Sequence, residues 1–126
     1  MPFLLCVDDD QEQLKLYRLF FGLSGFEVVV ASGGQEAVEV AQASRPDLIL
    51  MDMMMPGKDG CQAAAEIKAD PGLADIPIIL VTAAQPHRLA DQAAGIGIDL
   101  ILSKTIPPQE LLANIRILLR TYKPLA

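Results

Sequence analysis

Five short, mainly apolar runs, at residues 3–7, 27–31, 48–51, 76–81 and 98–102, are each followed by a segment with helical spacing of its apolar residues. Runs of this length bounded by turn-forming residues read as strands, and their alternation with helices is a βα repeat made five times over. The runs are continuous in polarity rather than alternating, which suits a parallel sheet covered by helices on both faces. The expected fold class is therefore α/β, a five-stranded doubly wound parallel sheet with five helices in three layers. Leu111, Ile115, Leu118 and Tyr122 fall at i, i+4, i+7 and i+11, on one stripe of the last helix, and Leu14, Tyr17 and Phe21 align in the first. Pro46, the stretch 56–60, Asp70-Pro71-Gly72 and Pro107-Pro108 punctuate the connections. The fourth helical segment, 86–95, has one large apolar residue, Leu89, beside Ala90, Ala93 and Ala94, and is expected to be the loosest helix.

A chain of 126 residues fits one domain, expected to span 1–126. Its net charge of −6 has the wrong sign for neutralising a phosphate backbone, so direct nucleic-acid binding is not expected. Hydrophobic residues make up 52% of the chain. Even so, no segment approaches the roughly 18 uninterrupted apolar positions that a bilayer crossing needs. The N-terminal run meets Asp8-Asp9-Asp10 before a signal peptide could complete its apolar stretch, and a cytoplasmic protein is expected. Cys6, in an apolar strand, and Cys61, after a glycine, match no zinc or redox spacing and read as small buried apolar residues.

In an open parallel sheet, ligands sit outside the C-terminal ends of the strands, near the point where strand order reverses. Asp8, Asp9 and Asp10 follow the first strand, Asp52 ends the third, Thr82 ends the fourth and Lys104 follows the fifth, all on that edge. Each has an ordinary reading alone. Asp10 is a helix N-cap, Asp52 a cap or turn residue, Thr82 a β-branched strand residue and Lys104 a surface charge. Together they read differently. Two carboxylates about 4 Å apart repel by roughly 4 kcal/mol at an effective dielectric near 20, so three converging acids call for a cation. An all-oxygen set without His or Cys selects a hard ion, and Mg²⁺ is the usual one where phosphate is handled. Three carboxylates, one Mg²⁺ and the Lys104 ammonium sum to zero charge.

Four motifs occur in order: Val7-Asp8-Asp9-Asp10, the ten residues from Met51-Asp52-Met53-Met54-Met55-Pro56 to Asp59-Gly60, Val81-Thr82-Ala83, and Ser103-Lys104. Asp52 precedes Thr82 by 30 residues, and Thr82 precedes Lys104 by 22. In these motifs the sequence resembles the receiver domain of response regulators of two-component signalling, across essentially the whole chain. The resemblance implies the flavodoxin-like strand order 2-1-3-4-5. It implies Mg²⁺ held by the carboxylates of Asp9 and Asp52, by the Met54 backbone carbonyl, and by Asp8 directly or through water. Asp52 becomes the phosphoacceptor, a nucleophile toward the phosphohistidine of a histidine kinase or histidine phosphotransfer protein. Lys104 and Mg²⁺ neutralise phosphoryl charge, while the Thr82 hydroxyl and the Ala83 backbone N–H contact phosphoryl oxygens after transfer. A signalling module that is itself modified, rather than an enzyme, follows from the same resemblance, with an unidentified downstream effector.

The sequence departs from that family at several positions. Thr105 stands where receivers usually carry a proline in a cis peptide bond. Because the cis form costs a non-proline bond about 2.5–4 kcal/mol, the Lys104–Thr105 bond is expected to be trans. Ile101 stands where many receivers place a Tyr or Phe that changes rotamer, so the activation signal is expected to pass through the fourth helix and its preceding loop. Chemical-shift changes on phosphorylation confined to the metal site count against that expectation. Met54 and Ala84 hold places that tune attack by water, and neither side chain orients water. This implies a phosphoryl lifetime no shorter than in relatives with polar groups there. His87, the single histidine, reads as a surface residue rather than a relay.

Three other readings stay open. A haloacid-dehalogenase-type phosphatase wants a second Asp where Met54 stands. A flavodoxin-like FMN binder wants hydroxyl and glycine residues where Asp8-Asp9-Asp10 would repel phosphate. A receiver-like interaction module keeps the fold and drops the phosphorylation. Residues 123–126 could begin a linker to a further module.

Overall fold

The computed structural model describes residues 1–83 and 86–122, so the expected linker at 123–126 lies outside the described residues. Along the chain come β1 (Phe3–Val7), α1 (Gln11–Leu23), β2 (Glu27–Ala31), α2 (Gly34–Ser44), β3 (Leu48–Asp52), α3 (Gly60–Ala69) and β4 (Ile78–Thr82). A 3₁₀ turn (Pro86–Leu89), α4 (Ala90–Ile96), β5 (Leu100–Ser103) and α5 (Pro108–Tyr122) complete it. The sheet order is β2-β1-β3-β4-β5 and every pairing is parallel, as the apolar runs and the resemblance imply.

Successive side chains of a strand point to opposite faces, so each apolar run feeds two cores. Leu5, Val7, Ile49, Met51, Ile78 and Leu80 face the side covered by α2 and α3, where Ala41, Ala64 and Ile67 close the packing. Leu4, Cys6, Leu48, Leu50, Ile79 and Val81 face the other side, against Leu14, Tyr17 and Phe21 of α1 and Leu111 and Ile115 of α5. Leu118 packs on this second core in part, while the side chain of Tyr122 lies outside the described residues. Cys6 and Cys61 are buried and unpaired with each other, as small core residues.

Two strands begin later than the apolar runs do. Ile76 donates its N–H to Leu73 in the preceding turn, so β4 starts only after Pro77. Ile98 donates to Ala93 O beyond Gly97, whose φ of 96° ends α4 in a left-handed cap, so β5 starts at Leu100. The fourth helical segment is split into the 3₁₀ turn and seven residues of α4, of which Ala93 alone is buried. That helix has the least apolar anchorage, in line with its alanines.

Candidate functional site

The chain runs from β1 outward to β2 and then returns across β1 to β3, so strand order reverses between β1 and β3. Diverging connections leave a crevice at the C-terminal edge there. Asp8 follows β1 and Asp52 closes β3. Both are buried, as is Thr82 at the end of β4. Asp9 is exposed. One carboxylate oxygen from each of Asp8, Asp9 and Asp52 lies within 4.8 Å of the other two.

Short backbone bonds hold this edge in register. The Met53 N–H donates to Val81 O at 2.8 Å, and the Lys104 N–H donates to Thr82 O at 2.8 Å. Asp10 caps α1, its carboxylate accepting from the Glu12 N–H at 3.0 Å, as expected of an aspartate before an amphipathic helix. Asp59 and Gln62 form a reciprocal capping box at the start of α3, each bond 2.8 Å long. The next residue, Gly60, has to be glycine for steric reasons, since a Cβ there would sit 2.5 Å from the Asp52 carbonyl oxygen. The Asp-Gly pair therefore starts α3 directly against the end of β3.

Lys104 reaches back across the edge. Its Nζ lies 3.1 Å from Asp8 Oδ2 and 3.1 Å from Asp52 Oδ2, with hydrogen-bond geometry toward Asp52. Asp8 Oδ1 accepts from the Asp10 N–H at 2.9 Å, whereas the buried Oδ2 has ion-pair proximity to Lys104 but no hydrogen bond. Burial pushes the Asp8 carboxyl above the usual carboxylate range, against the opposing pull of the Asp10 N–H and Lys104. For Lys104, burial favours the neutral amine, but the hydrogen bond to Asp52 and the negative charge of Asp52 and Asp8 outweigh it and raise its pKa.

The donor set fits a small hard cation. All donors are oxygens, one buried oxygen lacks a hydrogen bond, and three carboxylates against one ammonium leave two negative charges for a divalent ion to balance.

Of the other expected site residues, Ala83 is exposed just beyond Thr82, and Ala84 lies outside the described residues. The Met54 side chain is 66% exposed and points away from the core. The Lys104–Thr105 peptide is trans, and there are no cis bonds among the described residues. Ile101 is half-buried against the core and, with Ala90, Ala93 and Ala94, lines a shallow cavity of about 340 Å³. His87 is exposed on the 3₁₀ turn and lines the same cavity, which contains none of Asp8, Asp9 and Asp52. The sequence reading missed the capping box and a hydroxyl pair, Ser103 and Thr105, flanking Lys104. Asp59-Gly60 followed three residues on by Gln62 was a signal for the first.

Comparison with known proteins bears on the same residues. A family model described as the response regulator receiver domain matches residues 4–116. The phosphate regulon transcriptional regulatory protein PhoB of Pseudomonas aeruginosa is 34% identical over 121 residues, covering 96% of this chain and 53% of that protein. The response regulator MprA of Mycobacterium leprae is 36% identical over 123 residues, covering 96% and 52%. The chain thus spans about half the length of the curated relatives it matches. Among solved structures, the BeF₃-activated N-terminal receiver domain of Klebsiella pneumoniae RstA has a TM-score of 0.83 at 32% identity, with 94% of this chain and 98% of that one covered.

Proposed function

This chain belongs to the response regulator receiver family, and we propose that Asp52 is its phosphoacceptor and that Asp8, Asp9, Asp52 and the Met54 backbone carbonyl hold Mg²⁺. The observation that carries the proposal is the placement of the Lys104 ammonium 3.1 Å from both Asp8 and Asp52, in a cluster completed by Asp9. A bound Mg²⁺ supplies positive charge beside the incoming phosphoryl oxygens.

The chain's own groups do the rest. An Asp52 carboxylate oxygen attacks the phosphorus of a phosphohistidine, a P–O bond forms as the P–N bond breaks, and the imidazole of the donor leaves. Lys104 moves its ammonium from carboxylate to phosphoryl oxygen, which offsets the added negative charge. Thr82, buried at the adjacent strand end, offers its hydroxyl, and Ala83 its N–H, to the acyl phosphate. The protein takes part in phosphotransfer and loses its own phosphoryl group to water. It turns over no separate substrate.

A histidine kinase or a histidine phosphotransfer protein is the donor, and an effector protein receives the signal. An apolar groove of about 420 Å³ runs from Lys104 along α1, where Leu16, Leu19 and Leu23 are exposed, and gives a donor helix a footing beside the acceptor. The thin anchorage of α4 and the cavity beside Ile101 support transmission of the signal through α4 and its preceding loop. We take residues 1–126 as one receiver unit in the cytoplasm. No described helix is long and apolar enough to cross a membrane, and the charge of −6 argues against nucleic-acid contact by this unit.

Intact mass after incubation with acetyl phosphate and Mg²⁺ tests the reading. One phosphoryl group is expected on the wild type and none on Asp52→Ala. An unmodified wild type would instead leave a receiver-like interaction module.

A further inference from the structure

A lysine side chain has many rotamers, so an ammonium held at one spot depends on a backbone that leaves it few alternatives. Lys104 sits at the second position of a four-residue turn, Ser103 to Ile106, closed by the Ile106 N–H donating to Ser103 O at 3.2 Å. Both ends of the turn are fixed. Ser103 ends β5 in register with Thr82, and Ile106 packs against the core of α1 and α5. Lys104 is tied on one side by its own N–H, which donates to Thr82 O at 2.8 Å, so what remains to be held is the stretch from Lys104 into Thr105. Ser103 Oγ accepts from the Thr105 N–H at 3.2 Å and makes a second hydrogen bond with Thr105 Oγ1 at 2.8 Å. The first needs a residue with an N–H at 105 and the second needs a hydroxyl there. Threonine supplies both.

We infer that Ser103 and Thr105 are positioning residues for Lys104, their paired hydroxyls locking the turn so that the ammonium stays between Asp8 and Asp52. The inference rests on the reading of Asp52 as acceptor and Lys104 as its charge partner. The ordinary alternative is a loop hydroxyl that merely satisfies a turn N–H, with no bearing on Lys104. The two differ in what happens to the cation. An ammonium released from Asp8 and Asp52 slows phosphoryl transfer but no longer repels a divalent ion, so Mg²⁺ binding should hold or tighten. General loosening of the edge weakens both.

The experiment compares wild type, Thr105→Val, Thr105→Ser, Ser103→Ala, the Ser103→Ala/Thr105→Val double variant and Lys104→Ala. Transfer from acetyl phosphate at saturating Mg²⁺ is followed by intact mass, Mg²⁺ affinity by backbone amide shifts, and folding by circular dichroism. Thr105→Val is expected to slow transfer roughly three- to tenfold, the effect of one hydrogen bond, without weakening Mg²⁺ binding. Thr105→Ser should restore the wild-type rate. Ser103→Ala should slow transfer at least as much as Thr105→Val, and the double variant should match Ser103→Ala. Wild-type rates in Thr105→Val and Ser103→Ala beside a slow Lys104→Ala overturn this inference alone, as does a parallel loss of Mg²⁺ affinity. A Lys104→Ala variant as fast as wild type removes the underlying role of Lys104, and the inference with it.

Discussion

Asp8 and Asp9 are neighbours in sequence and opposites in environment. Asp8 directly follows β1, its N–H still donating to Ala31 O at 3.1 Å, and is buried, whereas Asp9 lies one residue further out in the bend before α1 and is exposed. Asp8 therefore bears most of the cost of the cluster when no cation is bound. Its folded pKa is raised chiefly by burial, so the folded state holds the Asp8 proton more tightly than the unfolded chain does. Stability of the metal-free protein should then fall as pH rises from the ordinary aspartate range through the raised Asp8 value. Asp8→Asn should abolish that part of the pH slope and have the higher urea midpoint in EDTA near neutral pH. With Mg²⁺ at a hundred times its dissociation constant the wild type should gain about 2.7 kcal/mol and the order should reverse. Equal midpoints in EDTA, or a slope unchanged by the substitution, would contradict this account. Asp8, Asp52, Thr82 and Lys104 were legible as an edge cluster because strand ends follow from the apolar pattern. The unequal burial of the two acids was not legible, nor was the Ser103–Thr105 pair, since two hydroxyls spaced two apart in a turn leave no periodic trace.

Among the elements, α3 has the most local specification. Its capping box satisfies two backbone N–H groups at the point where Gly60 brings the helix against β3. Asp59→Ala should cost about 1 kcal/mol in chemical denaturation. Gln62→Ala should cost less, because Asp59 still caps one N–H when its reciprocal partner is gone. A loss no larger than that of an exposed alanine substitution elsewhere on α3 would mean the cap is dispensable. The sequence motif around Asp59-Gly60 was visible as part of a resemblance, while its local cause became clear only from the contact between Gly60 and the Asp52 carbonyl. Element boundaries were readable where backbone pairing and the apolar run coincide, as in β1. They were less readable at β4 and β5, where the apolar residues Ile76 and Ile98 spend their N–H groups on the preceding turn and helix cap. Pattern reports burial, whereas a strand begins where backbone pairing does.

At the scale of the molecule the parallel sheet divides the interior into two cores that share strands but, among the described residues, no side chain. Ile67 of α3 belongs to one and Ile115 of α5 to the other, and both are fully buried. Truncating either to alanine should cost roughly 2–5 kcal/mol. With the sheet between them, the double variant should lose the sum of the two within about 0.5 kcal/mol, and a larger coupling in urea denaturation would show that strain crosses the sheet. If additivity holds, the two surfaces of this protein are free to diverge on separate schedules. The α1 and α5 side can be resculpted by substitutions that require no compensating change beneath α2 and α3, so that one face of the molecule can evolve while the other stands still.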